Sequence, residues 1–517
     1  MVAILLGQLA GLLRGILVAR LFGASSDLDA FLAANRVSET LFLLVAGGAL
    51  SSAFIPTFTS LLARRELKSA WRMASAIANL ITLLLGSLAS SAAVFAPQIV
   101  QYALAPGFSA DPELFALTVS LLRIQLISTV FFGIGGLLSG ILNAHQIFFI
   151  PALTPAIYQL GIIFGALMLT PAFGVHGLAW GVVLGAMLYF FLQIPSLLRL
   201  QSQNDDQKGN LRKYVFSLGI GQPDVREVFL LMGPRLIGVA VVQLNFWVNT
   251  WLASKMTEGS VTGLYYGFSI MIMAQAAIAQ SVAIAAMPTF SAQHALGQMK
   301  ELRSSLVASL RGVILLALPA SVGLILLRQP LVSFLYERGE FDPRSVQLVA
   351  WALLWSAAGL LGHSIMEVLT RAFYAQHDTR TPVLIGTVAM VLNVILSIVL
   401  STGFARAGWL PHGGLALANS LATALEAIAL FVVIRYRMGG IEGLRILRGL
   451  GSSALAVIGM LAGVLGWLKL VSGSAAWLIA MGGVALGGLI YFSGIWILGV
   501  PEVRLVMELL ASRITEK

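Results

Sequence analysis

Apolar runs long enough to cross a membrane follow one another along nearly the whole chain, broken by short stretches of Gly, Pro and charge. A spanning helix needs about 20 apolar residues. Reading the runs against their breakers predicts fourteen helices, near 2–22, 30–62, 71–103, 112–142, 150–169, 175–198, 225–254, 260–290, 303–327, 344–372, 381–401, 413–434, 449–469 and 475–499. Several run past about 25 residues, so tilt, kinks or ends projecting into water are expected. The expected fold class is an all-α integral membrane protein.

The runs repeat. ALSSAFIPTF (Ala49–Phe58) and SVAIAAMPTF (Ser281–Phe290) lie 232 positions apart. Asp111-Pro112 answers Asp342-Pro343, Ala144 answers Ala375 and Pro151 answers Pro382. Gly177-Leu178-Ala179 answers Gly414-Leu415-Ala416. Two copies of one six-helix bundle are therefore expected, an N-terminal lobe over 1–200 and a C-terminal lobe over 223–437. The polar segment 201–222 joins them as a cytoplasmic linker. Six helices per copy is even, so the repeat is expected to be parallel, related by an axis along the membrane normal and pairing Pro56 with Pro288. Helices 13 and 14 (438–500) have no repeat partner and are expected outside the two-lobe core, beside a lipid groove. The tail 501–517 reads as an amphipathic helix on the cytoplasmic surface. This architecture places a substrate site between the halves near the bilayer midplane, as in a transporter.

Composition agrees. Of 517 residues 58% are hydrophobic and 10% charged, with a mean hydropathy of +0.91, where a soluble domain carries about 25% charge. The net charge of +10 suggests nucleic acid until its distribution is read. With both termini in the cytoplasm, twenty basic residues fall in inside loops and the tail. Six fall outside: Lys255, Arg328, Arg338, Arg344, Arg406 and Lys469. That is the positive-inside pattern, and basic loops facing anionic lipid explain the charge without nucleic acid. The absence of cysteine excludes disulfides and thiol chemistry. The first helix lacks a basic n-region and a small-residue cleavage site, so it does not read as a cleaved signal peptide.

Charge at membrane depth costs roughly 2.5–3.5 kcal/mol per residue on insertion scales and calls for a reason. Helix 1 carries Gly7, Gly11 and Gly15, a small-residue stripe suited to close helix contact. Arg14 follows Gly11 by three and so points into the bundle. It reads either as an anion-binding group in a central cavity or as a structural Arg satisfied by carbonyls at a helix break. Arg20 lies near the outer end, where snorkelling is equally open. Asp27 and Asp29 open helix 2 at the positive end of its dipole, and an Asp29–Arg20 clamp is plausible. Arg36 and Glu39, three apart, either pair locally or line the cavity. Arg235 follows Gly233-Pro234 on helix 7. His363, Glu367 and Arg371 share a face of helix 10, as a gating or proton-relay stripe or as a Glu–Arg pair supporting the inner end. That spacing is not HExxH, so no metal site is expected. Asn245, Asn249, Gln275, Gln280, Asn393 and Asn419 read as interhelical hydrogen-bond partners. No Walker A pattern and no Ser/His/Asp grouping appears, so neither ATP nor any other cofactor is expected, and the chain reads as a transporter rather than an enzyme.

VARLFGASSDLDAFLAA (Val18–Ala34), LAPGF (Leu104–Phe108), GILNAHQIFFIPALTP (Gly140–Pro155), MGPRLIGVAVVQ (Met232–Gln243) and RAFYAQHDTRTPV (Arg371–Val383) resemble the MurJ/MviN lipid II flippases. The resemblance spans nearly the whole chain in order. It implies the fourteen-helix fold of the multidrug/oligosaccharidyl-lipid/polysaccharide exporter superfamily in a bacterial cytoplasmic membrane. It implies export of the undecaprenyl-linked peptidoglycan precursor by alternating access. Arg14, Arg20 and Asp29 match charged positions of that family. The chain departs from the pattern in helix 2, with Phe42, Leu43 and Gly47 in place of a basic pair and an acid. It departs again in helix 8, with Tyr265-Tyr266-Gly267-Phe268-Ser269 and Ile272 where the family carries an Asp-Arg and a further acid, and at Gly15 in helix 1. The expected partners are a lipid-linked anionic substrate, membrane lipids and cell-envelope synthesis proteins. Rival readings are an exporter of another lipid-linked oligosaccharide, a drug/cation antiporter of the superfamily, or a non-transporting envelope scaffold.

Overall fold

The computed structural model describes the backbone of residues 2–45, 48–202, 214, 216–219, 221–441 and 443–500, and most of their side chains. Every described element is a helix. The longer ones, in chain order, are α1 (Val2–Phe22), α2 (Ser26–Val45), α3 (Gly48–Ala63), α4 (Leu67–Val94), α5 (Pro112–Ala144), α6 (Phe149–Phe173), α7 (Val175–Leu200), α8 (Pro223–Ala253), α9 (Ser260–Ala295), α10 (Met299–Leu326), α11 (Pro343–Ala358), α12 (Leu360–Ala375), α13 (Arg380–Arg406), α14 (His412–Arg437), α15 (Gly443–Leu470) and α16 (Ala476–Ile497), with short helical segments between α4 and α5 and between α10 and α11. Among the described residues ten helices are long and apolar enough to cross a membrane. They become twelve when α8, bent by 46°, and the α11–α12 pair, bent by 47°, each count as one span. The expected number of fourteen is not reached on that measure. The predicted second helix is two helices, α2 and α3, and α2 alone carries four charges, Asp27, Asp29, Arg36 and Glu39. The tail 501–517 and most of the linker lie outside the described residues.

The chain divides into two compact units. One is Met1–Val261 with Arg338–Glu340, the other Thr262–Glu337 with Phe341–Lys517. Helix α8, which the repeat assigns to the second copy, packs within the first unit against α2 and α3. Its inward turns supply Val225, Val228 and Met232 to that unit's core.

Close contact between α6 and α7 is built on glycine. A Cβ on Gly161 would sit 2.2 Å from Gly185 Cα, and one on Gly165 2.4 Å from Gly181 Cα. Backbones at this distance gain dispersion contacts that lipid cannot replace. The glycine stripe of α1 also faces protein, as its spacing predicts. Gly7 lies against Pro155 and Ala156 of α6, and Gly11 against Gln159.

The two copies are legible at the level of single hydrogen bonds. After α3 the amides of Arg64, Arg65 and Glu66 donate to the carbonyls of Ser60, Leu62 and Leu61. After α9 those of Leu296, Gly297 and Gln298 donate to Ala292, His294 and Gln293. After α5, Gln146 and Ile147 donate to Asn143 and Leu142. After α12, His377 and Asp378 donate to Tyr374 and Phe373. Asp111 and Asp342 both cap the helix whose first residue is the following Pro. Ser345 donates both its hydroxyl and its amide to Asp342, and these bonds hold that carboxyl below its usual range. The apolar cores repeat as well. Phe58, Ala70, Ala74, Ile81, Leu137, Leu138 and Ile141 pack in the first unit, and Phe290, Leu302, Leu306, Val313, Val368, Leu369 and Ala372 fill the same positions in the second.

Helices α15 and α16 pack on each other and on α10 within the second unit. The contact leaves an apolar cavity of about 310 Å³ lined by Pro319, Gly323, Leu327, Met460, Gly487 and Tyr491 among others. The Tyr491 hydroxyl is turned away into hydrogen bonds with Ser453 and the Leu315 carbonyl, at 2.7 and 2.6 Å.

Candidate functional site

In the first unit the charges of α2 meet side chains of α8 and the turn that follows it. Asp29, in the first turn of α2, is 3% exposed, and its Oδ2 accepts the Gly259 amide at 2.8 Å. Beside it, Ser26 donates its amide and hydroxyl to Glu258 Oε1 at 3.0 and 2.9 Å. These bonds fasten the start of α2 to the turn following α8. Arg20 is exposed; its carbonyl, at the end of α1, accepts the Glu340 amide at 2.9 Å. Asp29 is thus a residue that holds a corner, and Glu258 is its unforeseen companion. Nothing marked Glu258 in the sequence, because its partner is 232 positions away.

Arg36 is fixed from three sides. Its Nη1 donates to Glu39 Oε2 at 2.9 Å, and its guanidinium carbon stands 4.9 Å from the Phe246 ring centre on α8. The Arg36 carbonyl accepts from Thr40 Oγ1 at 2.7 Å, and that oxygen accepts from Trp247 Nε1 at 2.8 Å. Arg36 Nε is buried and has no acceptor among the described residues. Such a guanidinium, held in place by an acid and an aromatic face, retains a donor for an oxyanion. Arg14 lies half-buried on α1, one turn beyond Gly11. The backbone of Arg235 belongs to α8, but its side chain is outside the described residues.

In the second unit the expected stripe on α12 separates into two parts. His363 Nε2 pairs with Asn419 Oδ1 of α14 at 3.0 Å, and its ring lies 6.1 Å from that of Phe268. Glu367 and Arg371 form a local pair at 2.9 Å. Of the amides expected to bridge helices, Asn419 does so. Asn249 donates to Asn245 one turn away on α8, and Asn393 accepts from Ser397 one turn away on α13. Ser269, where the family pattern has a charge, donates its hydroxyl to the Tyr265 carbonyl at 2.6 Å. Among the described residues no group of three or more His, Cys, Asp or Glu stands close enough to hold a metal ion.

At one end of the second unit, Asp378 gathers the amides of Arg380 and Thr381, the Thr381 hydroxyl and the Arg437 guanidinium. Partial burial opposes its ionisation, but those bonds and the Arg437 charge prevail and hold the carboxyl at about 2. Arg437 also stands 5.5 Å from the Phe373 ring centre.

Comparisons with known proteins place this arrangement. The sequence model described as "Lipid II flippase MurJ" matches residues 18–481. The lipid II flippase MurJ of Burkholderia cenocepacia is 30% identical over 435 residues, covering 84% of this chain and 82% of that protein. A probable lipid II flippase MurJ of Vibrio cholerae is 30% identical over 437 residues, 83% of this chain and 80% of that protein. Among solved structures, a lipid II flippase MurJ in an inward closed conformation superposes with a TM-score of 0.80 at 25% identity, covering 96% and 98% of the two chains. An inward-facing multidrug resistance MATE transporter shares the fold, with a TM-score of 0.71 at 15% identity over 84% and 94%. The chain belongs to the MurJ lipid II flippase family.

Proposed function

We infer that this protein is a flippase that moves undecaprenyl-pyrophosphate-linked peptidoglycan precursor, lipid II, from the inner to the outer leaflet by alternating access. The observation that carries the reading is the family match across residues 18–481. The protein is a multi-pass membrane transporter, not an enzyme. The positive-inside asymmetry supports both termini in the cytoplasm.

A pyrophosphate headgroup cannot cross hydrocarbon unaccompanied, so positive charge must line its path. Arg14, Arg20, Arg36 and Arg235 supply it in this reading, with Arg36 supported most directly by its unmet Nε donor. Asp29 and Glu39 position rather than bind, one holding the start of α2 and the other holding Arg36. In the second unit Glu367 and Arg371 act as a local pair supporting the end of α12, and His363 ties α12 to α14, in place of a continuous relay stripe. The polyprenyl tail stays in lipid and rests in the apolar cavity beside α15 and α16, whose lining offers it no competing polar group. Envelope-synthesis proteins that make or consume the precursor are the expected partners.

A second reading, export of another lipid-linked oligosaccharide, is favoured by one observation. Ser269 and Ile272 leave helix α9 without the family's charges. Expression in cells depleted of their resident flippase decides. Restored growth with outer-leaflet accessibility of labelled lipid II supports the first reading, and a correctly inserted protein that restores neither favours the second.

A further inference from the structure

Glu426 stands in the run SLATALEAIAL on α14 and belongs to no grouping described so far. It lies eleven residues before Arg437 and fourteen after His412, so roughly 16 and 21 Å from the two ends of the helix. That is the middle of a bilayer core about 30 Å thick. Leu421, Leu425, Ile428 and Val432 form the exposed stripe of α14. At about 100° per residue Glu426 points some 130° away from that stripe, into the unit. There its carboxyl lies against bare backbone of α13, since a Cβ on Gly386 would meet Glu426 Oε1 at 3.1 Å. Tyr374 of α12 stands within electrostatic reach of Glu426, Glu367 and Arg371.

Among the described residues no cation answers Glu426. Arg371 is committed to Glu367 at 2.9 Å, and among the described residues no ion pair or hydrogen bond engages the Glu426 carboxyl. The remaining titratable or charged groups on the surrounding helices are placed elsewhere or already bonded. His363 of α12 is paired with Asn419. On α14 itself His412 is bonded to the Leu348 carbonyl, Arg437 to Asp378, and Arg435 and Tyr436 are exposed, all at the ends of the helix. On α13, Arg380 and Arg406 are terminal, and Arg344 is in the first turn of α11. An acid at membrane depth marks an ion or proton pathway when it faces protein. The surroundings offer a carboxyl, a phenol and backbone, not the six or more oxygens of a metal cage.

We propose that Glu426 is a proton-binding residue of this transporter. Its carboxylate oxygen takes one proton from water on one side of the membrane, forming an O–H bond, and gives that proton up to water on the other side once per transport cycle. The coupling to transport rests on the flippase reading, whereas the proton site itself does not.

Infrared difference spectroscopy of the reconstituted protein between alkaline and acidic buffer reads the site directly. The wild type is expected to gain a protonated-carboxyl stretch that Glu426→Gln removes and Glu367→Gln leaves in place. Glu426→Asp should keep a shifted band, which controls for folding. A band unchanged in Glu426→Gln overturns the proposal. In vesicles carrying labelled lipid II, an imposed pH gradient should speed flipping severalfold in the wild type and not at all in Glu426→Gln. Acceleration by a sodium gradient alone, or equal acceleration of both proteins by pH, overturns the coupling. A wild type that moves no lipid II while keeping its Glu426 band defeats the flippase reading and leaves the proton site standing.

Discussion

Arg65 and Gly297 occupy the same corner of the fold in its two copies, 232 residues apart, with φ of 60° and 70°. Each ends a helix whose internal Pro, Pro56 or Pro288, lies nine residues earlier. The left-handed conformation costs an L-residue about 1–2 kcal/mol that glycine avoids. Arg65→Gly should therefore raise the melting temperature, and Gly297→Ala should lower it. No atom lies within 4 Å of a Cβ at Gly297, so backbone strain alone sets the effect there. Thermal unfolding in detergent reads both, and equal melting temperatures for the three proteins would contradict the equivalence.

Gly181→Leu should be far more damaging. The residue approaches Gly165 Cα within 2.9 Å of its own would-be Cβ, and α6 and α7 cannot stay in contact around a larger group. Overpacking typically costs about 1–3 kcal/mol, and a backbone-to-backbone contact that cannot relax stands at the upper end of that range. Detergent-extracted variant should aggregate or elute as an expanded species on gel filtration.

Arg14→Ala should abolish outer-leaflet appearance of labelled lipid II while the protein still inserts and folds, and Arg14→Lys should rescue it only in part. Lysine keeps the charge but loses the planar fork that binds two phosphate oxygens at once. Arg36→Ala should lower the flipping rate at least about tenfold, equivalent to 1.4 kcal/mol, whereas Phe246→Leu, which removes the ring but not the charge, should cost less. Normal flipping by both Arg14→Ala and Arg36→Ala would eliminate the cationic path.

Arg235→Ala should impair flipping more in this protein than in relatives that carry an Arg on the ninth helix, because Ser269 supplies no charge. Side-by-side complementation by the paired variants measures the difference.

The Asp378–Arg437 latch should depend on pH in one direction. Asp378 is held at about 2 against an ordinary 3.8. A depressed carboxyl contributes stability that is complete above the unfolded value and lost as pH falls through the folded one. Arg437→Ala should thus lower the melting temperature at pH 5 to 7. The difference from the wild type should shrink as pH drops from 4 toward 2.

Much of this was legible in sequence because hydrophobicity and chain-local geometry are written residue by residue. Most of the spans, though not their number, followed from run length, the repeat from paired motifs such as Asp111-Pro112 and Asp342-Pro343, and the inward face of α1 from glycines four apart. The family resemblance rested on motifs in the right order. What pairs with what across the membrane was not legible, since helices distant in sequence meet only when both insert. Nothing at Asp29 announces Gly259, nothing at Arg36 announces Phe246, and Glu367 chose Arg371 on its own helix while Glu426, two helices later, was left without a counter-charge. Nor does run length reveal that α8 packs with the first unit, because a helix of apolar residues is satisfied by any apolar neighbour. Sequence alone determined that this chain is a repeated membrane transporter. Only tertiary packing decided which of its buried charges neutralise one another, because that depends on distances of a few ångströms in a medium where unpaired charge is costly.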